Sequence, residues 1–382
     1  MKIGILTLPL HTNYGGILQA YALQTVLERM GHEVLVIERK PCQVNFPVYR
    51  WMLIYLKRFI KKFLLRKQQF FFLEKHNEKV RPIIQKNTDV FIGNYIHRYL
   101  VDDYSELSKK SDLFDAIVVG SDQIWRPVMI GHIEDAFLAF VKDAKLKRIA
   151  YAASFGVDKW EFSQDETLHC QSLVAKFNGV SVREQSGVLL CRKYLKCNAE
   201  WVLDPTMLLS VKDYVSLFKR AAITKSEGTL LNYILDDTPH KMQVIDNIAK
   251  MKKLKPFRVG SKIEDEYAPL DERIQPPVET WLRGFYDAEF VVTDSFHACV
   301  FSIIFKKQFV VVGNKERGLA RFESLLKLFG LEERLVDEKC EFSKLKDIDY
   351  DAVYAKYKLL KSSSLSFLQG NLDSKNDFFN KE

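Results

Sequence analysis

The chain alternates short, continuously apolar runs with stretches whose apolar positions recur every three or four residues. KIGILTL (2–8), EVLVIER (33–39), DAIVVG (115–120), RIAYAASFG (148–156) and GVSVRE (179–184) are apolar at consecutive positions. That is the pattern of strands covered on both faces of a parallel sheet. Between the first two runs, NYGGILQAYALQTVLERMG carries helical spacing, so the opening segment is a strand–helix–strand unit. QSGVLLCRKYL (185–195) reads as a further helix before AEWVLDPTMLL. At Asp204 and Pro205 the alternation pauses. It restarts with the strands GTLLNYIL, KPFRVG, EFVVT and QFVVVG, interleaved with helical stretches at 240–254, 277–288, 297–305 and 319–330. We therefore expect two α/β domains facing a cleft: 1–205, carrying an insertion at 50–81, and 206–340. Residues 341–382 read as a helix and then a frayed polar tail.

Open α/β sheets bind ligands beyond the carboxyl ends of their strands, which makes the strand ends the places to look for chemistry. SFHACVFSIIF places His297 at the mouth of an apolar helix. The loop after QFVVVG carries Lys315 and Arg317 between two glycines. GNKERGLA has nearly the glycine spacing of a nucleotide P-loop, but Leu319 and Ala320 stand where Lys and Ser/Thr would bind phosphate and magnesium.

With 382 residues and 47% hydrophobic content, the chain is long enough for two cores. Its apolar runs fall short of the ~20 residues of a membrane span, and the opening MKIGILTLPL lacks a signal cleavage site, so a cytoplasmic location is expected. Cysteines at 42, 170, 191, 197, 299 and 340 form no CxxC pair and have no histidines at ligand spacing, which points to reduced thiols and no metal.

The net charge of +8 is concentrated. Residues 50–81 hold ten Lys or Arg against two acids, and the remainder is balanced. Within WMLIYLKRFIKKFLLRK, helical spacing puts Met52, Leu56, Phe59, Ile60, Phe63 and Leu64 on one face and Lys57, Arg58, Lys61 and Lys62 on the other. Such a strip suits a helix lying on an anionic membrane surface through residues 50–67, peripheral to the inner face of the plasma membrane. It equally suits a helix whose apolar face packs on the first domain. No recognition motif accompanies the charge, so nucleic acid is not a partner.

Taken in order, NYGGILQAYALQ, DAIVVGSDQIW, IAYAASFG, SVREQSG, WVLDPTMLL, SFHACVFSIIF and NKERG resemble the polysaccharide pyruvyl transferase family over about residues 1–335. The resemblance implies two Rossmann-like domains similar to the GT-B glycosyltransferase fold, with acceptor on the first and donor on the second. It also implies transfer of pyruvate from phosphoenolpyruvate to two hydroxyls of a sugar as a ketal, without a cofactor. The product would serve exopolysaccharide, capsule or cell-wall glycan synthesis, and the acceptor would be a sugar or lipid-linked oligosaccharide.

Phosphoenolpyruvate carries about three negative charges and needs converging cations. Arg183 matches the family's S-V-R-E motif, Lys315 falls where a donor-contacting lysine is expected, and Arg317 and Arg321 lie near it. Arg183 reads alternatively as the partner of Glu184 or another acid at the sheet edge. Ser295 stands where the common family form has an arginine. His297, at a helix N-terminus, can exchange a proton near neutrality; the alternative is a core histidine bonded to a carbonyl. Asn13, Tyr14, Gly15 and Gly16 form the acceptor-side loop, which lacks the acid many relatives have there. Asp122 inherits that role unless it merely stabilises its turn. Ser154 is a candidate hydrogen-bond donor to substrate, and Asp294 a negative charge close to His297 or a cap of its helix. Two other functions compete: a glycosyltransferase using a nucleotide-sugar, with Asp294 or Glu316 on the ribose, and a non-catalytic, membrane-docked scaffold. Retention of His297, Arg183 and Lys315 together argues against the scaffold.

Overall fold

A computed structural model of the chain describes residues 1–40, 48–60, 70, 72–109, 113–313, 318–336 and 342–373. Seven strands form the first sheet: β1 (Lys2–Leu6), β2 (Glu33–Arg39), β3 (Arg98–Val101), β4 (Ala116–Val119), β5 (Lys147–Ala153), β6 (Gly179–Val182) and β7 (Glu200–Trp201). Their spatial order is β3-β2-β1-β4-β5-β6-β7, parallel throughout. Five more form the second sheet: β8 (Leu230–Tyr233), β9 (Pro256–Phe257), β10 (Phe290–Thr293), β11 (Gln308–Val312) and β12 (Leu335–Val336). These run in the order β12-β11-β10-β8-β9, also parallel. The expected α/β fold with two Rossmann-like halves is what the chain adopts.

In each sheet the chain starts in the middle, winds outward on one side, then returns and winds outward on the other. The reversal falls between β1 and β4 in the first sheet and between β8 and β10 in the second. At such a switch point the loops leaving adjacent strands diverge to opposite faces and open a crevice at the carboxyl ends. The continuously apolar strands are the central ones: Ala116–Val119 and Phe290–Thr293 are buried at every position. Strands β3 and β12, at the sheet edges, are short, RYLV being half polar and LV only two residues long, and the apolar-run criterion does not find them. The long helix Leu73–Tyr95, with Pro82 inside it, was also outside the expected pattern.

The two halves are packed against each other. Tyr14, heading the first helix (Tyr14–Arg29), gives its hydroxyl to the Pro276 carbonyl at 2.7 Å. Its ring packs 5.4 Å from that of the fully buried Trp281. Trp281 in turn meets Tyr233, Phe285 and Phe301 of the second half. Gln275 donates to the Thr12 carbonyl at 3.1 Å, and Gln185 N–H donates to Ser324 Oγ at 3.1 Å on the far side. The last helix, Tyr350–Asp373, returns to the first half, where Ser364 Oγ accepts from Leu203 N–H at 3.0 Å. Four cysteines among the described residues, 170, 191, 197 and 299, are unbridged.

Truncating Trp281 to Ala should cost roughly 3–5 kcal/mol, because it empties the aromatic cluster on which Tyr14 rests. Urea unfolding followed by far-ultraviolet circular dichroism checks it. A loss below about 1 kcal/mol would show that this cluster does not join the halves.

Candidate active site

Both switch points carry their polar residues to the same place. After β1 the chain enters the first helix at Asn13, whose Oδ1 accepts from Gly15 N–H at 3.1 Å and caps the helix. After β4 it turns through Ser121 and Asp122. Asp122 has φ 60°, a left-handed conformation that a short polar residue tolerates best. Its Oδ1 accepts from Gln123 N–H at 2.9 Å and from Arg183 at 3.1 Å. Arg183 and Glu184 follow β6, and Asp204 follows β7. From the second half, the helix Phe296–Ile304 after β10 brings His297, and the helix Ala320–Phe329 brings Arg321.

At the centre lies the Arg183 guanidinium, 3% exposed. One terminal nitrogen donates to Asp204 Oδ2 at 2.8 Å, and the other to Asp122. Glu184 Oε2 is 4.0 Å from its Nε. Three carboxylates far apart in sequence thus surround one cation. The sequence shows no carboxylate cluster because the strands, not the spacing, assemble it. A carboxylate group of this kind often holds a metal, but here the guanidinium occupies the shared position. The alternative expectation for Arg183, pairing with acids at the sheet edge, describes its contacts.

His297 closes the site from the other side. Its Nε2 is 3.4 Å from the Arg183 guanidinium and 3.6 Å from Asp204 Oδ2. Its ring lies flat against Gly15, where a Cβ would sit 1.9 Å from Nδ1. Only glycine lets the imidazole reach the first turn of that helix. Gly16 lies in ordinary contact range of Asp122, with 3.5 Å from a built Cβ to Oδ2. Phe296, beside His297, has Arg183 4.6 Å and Arg321 5.6 Å from its ring centre. Two buried cations are thereby placed near a π face, which attracts positive charge.

These contacts set the charge states. Burial raises the Asp204 carboxyl, but the His297 imidazole and Arg183 outweigh it and hold it well below the ordinary carboxylate range. Asp122 is likewise held low, by Arg183, His297 and Arg321 against its burial. Glu184 goes the other way: burial raises it more than Arg183 and its bond from Phe155 N–H lower it. Arg321 is pushed down to about 10 by burial and by the neighbouring Arg183 charge.

The other expected residues are placed as follows. Tyr14 is buried, and its hydroxyl is taken by Pro276. Ser154 is buried and accepts from Gly156 N–H at 3.0 Å. Ser295 precedes the His297 helix, makes no side-chain cap, and donates its N–H to Thr293 Oγ1 at 3.0 Å. Asp294 does not cap that helix: it binds Lys241 Nζ at 2.7 Å and accepts from Leu235 N–H. Lys315, Arg317 and Glu316 lie outside the described residues. Their loop departs from Gly313 and returns at Gly318, which is pressed against the Gly156 carbonyl so that a Cβ would lie 2.6 Å from it. Asp204 is the residue that sequence reasoning passed over. Its signal was the apolar run WVL ending in Asp-Pro, read as a boundary.

Compared with known proteins, the sequence profile described as "Polysaccharide pyruvyl transferase" matches residues 13–316. The chain belongs to the polysaccharide pyruvyl transferase family. Every described residue of the cluster except Arg321 falls within the matched span, so the site is built from the family's shared region. Among curated proteins none matches this family member. Solved structures resemble its overall course. UDP-GlcNAc 2-epimerase from Methanocaldococcus jannaschii is 11% identical, covering 94% of this chain and 93% of its own, with a TM-score of 0.48. The UDP-GlcNAc 2-epimerase from Neisseria meningitidis bound to UDP-GlcNAc is 9% identical, covering 95% and 100%, at 0.44. MurG of Acinetobacter baumannii is 10% identical, covering 96% and 94%, at 0.42.

Replacing Asp204 by Asn should cost roughly 3–5 kcal/mol at neutral pH, since it leaves Arg183 buried and partly uncompensated. The native carboxyl sits below its ordinary 3.8, so its contribution is complete above that pH and is lost as pH falls further. Urea unfolding from pH 7 downward should show a constant gap between wild type and Asp204→Asn until about pH 4, closing below it. A gap that narrows already between pH 7 and 5 would contradict the depressed ionisation.

Proposed function

We propose that this family member transfers pyruvate from phosphoenolpyruvate to two hydroxyls of a sugar, or of a lipid-linked oligosaccharide, as a ketal. The observation that carries the reading is the seat of His297. An imidazole from the second half rests on Gly15 of the first, within reach of Asp204 and Arg183. A proton-exchanging group at the meeting point of two switch points is what addition to an enol phosphate requires.

The chemistry balances without a cofactor. One sugar hydroxyl adds to C2 of the donor while its methylene carbon gains a proton and becomes methyl. The C–O bond to phosphate then breaks, and the second hydroxyl adds to the same carbon. Of the two hydroxyl protons, one ends on the methyl group and the other leaves with phosphate. His297 is the group that carries them, accepting each from a hydroxyl oxygen and passing the first to the methylene carbon and the second to phosphate. Asp204 and Asp122, both ionised, stabilise the imidazolium formed in between.

Arg183 already has carboxylates at both terminal nitrogens, so its role here is to fix Asp122, Asp204 and His297 relative to one another. The grip on the donor's phosphate and carboxylate is assigned to Arg321, Lys315 and Arg317, with Ser295 as a further hydrogen-bonding candidate. Asn13, Gly15 and Gly16 face the acceptor. His297 is 6% exposed, so admission of both substrates goes with separation of the two halves.

A nucleotide-sugar reading finds less support. Asp294, its candidate for binding a ribose, is 2% exposed and committed to Lys241 and the Leu235 backbone.

The test is phosphate release from phosphoenolpyruvate in the presence of a pyranose acceptor. His297→Ala and His297→Gln should lower the rate roughly a hundred- to ten-thousand-fold with the fold intact. Arg183→Ala should lower it comparably while also destabilising the chain. Wild-type rates in the His297 variants would remove the mechanism, and acceptor modification driven by a nucleotide-sugar would favour the alternative.

A further inference from the structure

The helix Val48–Phe59 has two unlike faces, and the apolar one points outward. Tyr49, Met52, Leu53 and Leu56, spaced i, i+3, i+4 and i+7, form one stripe. Met52 is 67% and Leu56 55% exposed, and Phe59 and Ile60 extend the exposed surface. The inner face is the one in use. Trp51 stacks on Tyr55 at 5.7 Å, and Tyr55 meets the Phe72 ring edge-on. Arg58 forms a two-pronged ion pair with Glu74 at 2.6 and 2.7 Å and lies over Tyr55. The expectation that the apolar stripe packs on the first domain is therefore corrected for its described part. So is the placement of Arg58 on the solvated face. Aromatic stacking and a paired guanidinium anchor the helix better than its aliphatic stripe, because Glu74 and Phe72 are the neighbours on offer. Phe63 and Leu64, with Lys61 and Lys62, lie outside the described residues.

We infer that this face docks the protein on a membrane leaflet containing anionic phospholipid. Charge decides the occupant. Residues 50–81 carry the chain's whole surplus, ten basic against two acidic residues, with Arg50 and Lys57 exposed on the helix and Lys75, Lys79 and Arg81 exposed on the next one. A second copy of the chain would set the same patch against itself and so oppose like charges. An anionic leaflet accepts both the stripe and the charge, because each Lys or Arg near such a surface is attracted to it. The 12-residue helix is too short to span, and among the described residues no helix is long and apolar enough to cross a membrane, so the contact is interfacial.

The same segment reaches the mouth of the site. Phe70 stacks on Tyr267 of the second half at 5.3 Å. Asn87 of the following helix donates to the Gln275 carbonyl at 2.8 Å, and Gln275 donates to Thr12, next to Asn13. A membrane held at this face would present a lipid-borne sugar to the acceptor loop, a consequence that rests on the pyruvyl-transfer reading, whereas the docking does not.

The experiment is co-sedimentation of the full chain with phosphatidylcholine vesicles, with and without phosphatidylglycerol, at low and physiological salt. Binding should require phosphatidylglycerol, weaken as salt rises, and fall at least about tenfold in the Leu53→Glu/Leu56→Glu variant. Both positions are exposed, so circular dichroism and melting temperature should stay at wild-type values. No binding to phosphatidylglycerol vesicles at low salt overturns the inference, as does equal binding to the neutral vesicles. A wild-type dimer that the variant converts to monomer overturns it too, by giving the stripe to a second copy. Phosphate release from phosphoenolpyruvate with a soluble pyranose, unchanged in the variant, keeps this outcome separate from the catalytic one.

Discussion

Everything at the centre of this molecule depends on one buried guanidinium. Arg183 is nearly withdrawn from water, and a lone cation there would be costly to keep. It persists because Asp204 and Asp122 bind its two terminal nitrogens and because Phe296 offers it a ring face. These partners come from the ends of β4 and β7 and from the second sheet's His297 helix. The pairing therefore holds the strand ends and the two halves in register. His297 is seated within this arrangement, with Gly15 providing the space on the other side of its ring.

The charge pattern gives the residues unlike duties. Asp204 and Asp122 stay ionised because cations outweigh their burial, whereas burial prevails at Glu184. In the proposed reaction, proton transfer at His297 would take place beside charges that are already fixed, without the site rearranging. That preorganisation is where an enzyme of this kind obtains most of its rate. The aromatic contacts of Tyr14 and Trp281 supply the complementary mechanical requirement, joining the halves while leaving the polar centre to the strand ends.

Much of the fold was legible because buried parallel strands must be apolar at consecutive positions, as AIVV and FVVT are. The edge strands β3 and β12 were not, since an edge strand needs no such run. His297, Arg183 and Asp122 could be picked out as polar residues directly following apolar strands. Asp204 follows the same rule, yet Asp-Pro reads equally as the end of a unit. What the sequence could not convey was the partnership: Arg183 suggests an anion grip until three carboxylates, up to 82 positions apart by their numbers 122, 184 and 204, are seen to meet on it. Tyr14 and Ser154 were misleading for a related reason. A loop residue beside a candidate site can be turned inward, and packing decides which way it faces. The helix at 48–59 shows the reverse, where hydrophobic spacing was clear but its outward direction depended on Glu74 and Phe72.

If Arg183, Asp204 and His297 act as one device, a double-mutant cycle reveals it in the rate. Phosphate release from phosphoenolpyruvate with a pyranose acceptor would be measured for Asp204→Asn, His297→Gln and their combination. If the imidazole works through its carboxylate, the double variant should be scarcely slower than His297→Gln alone, because groups that act together are lost together. Losses that simply multiply would mean that Asp204 and His297 act independently and that no such device exists.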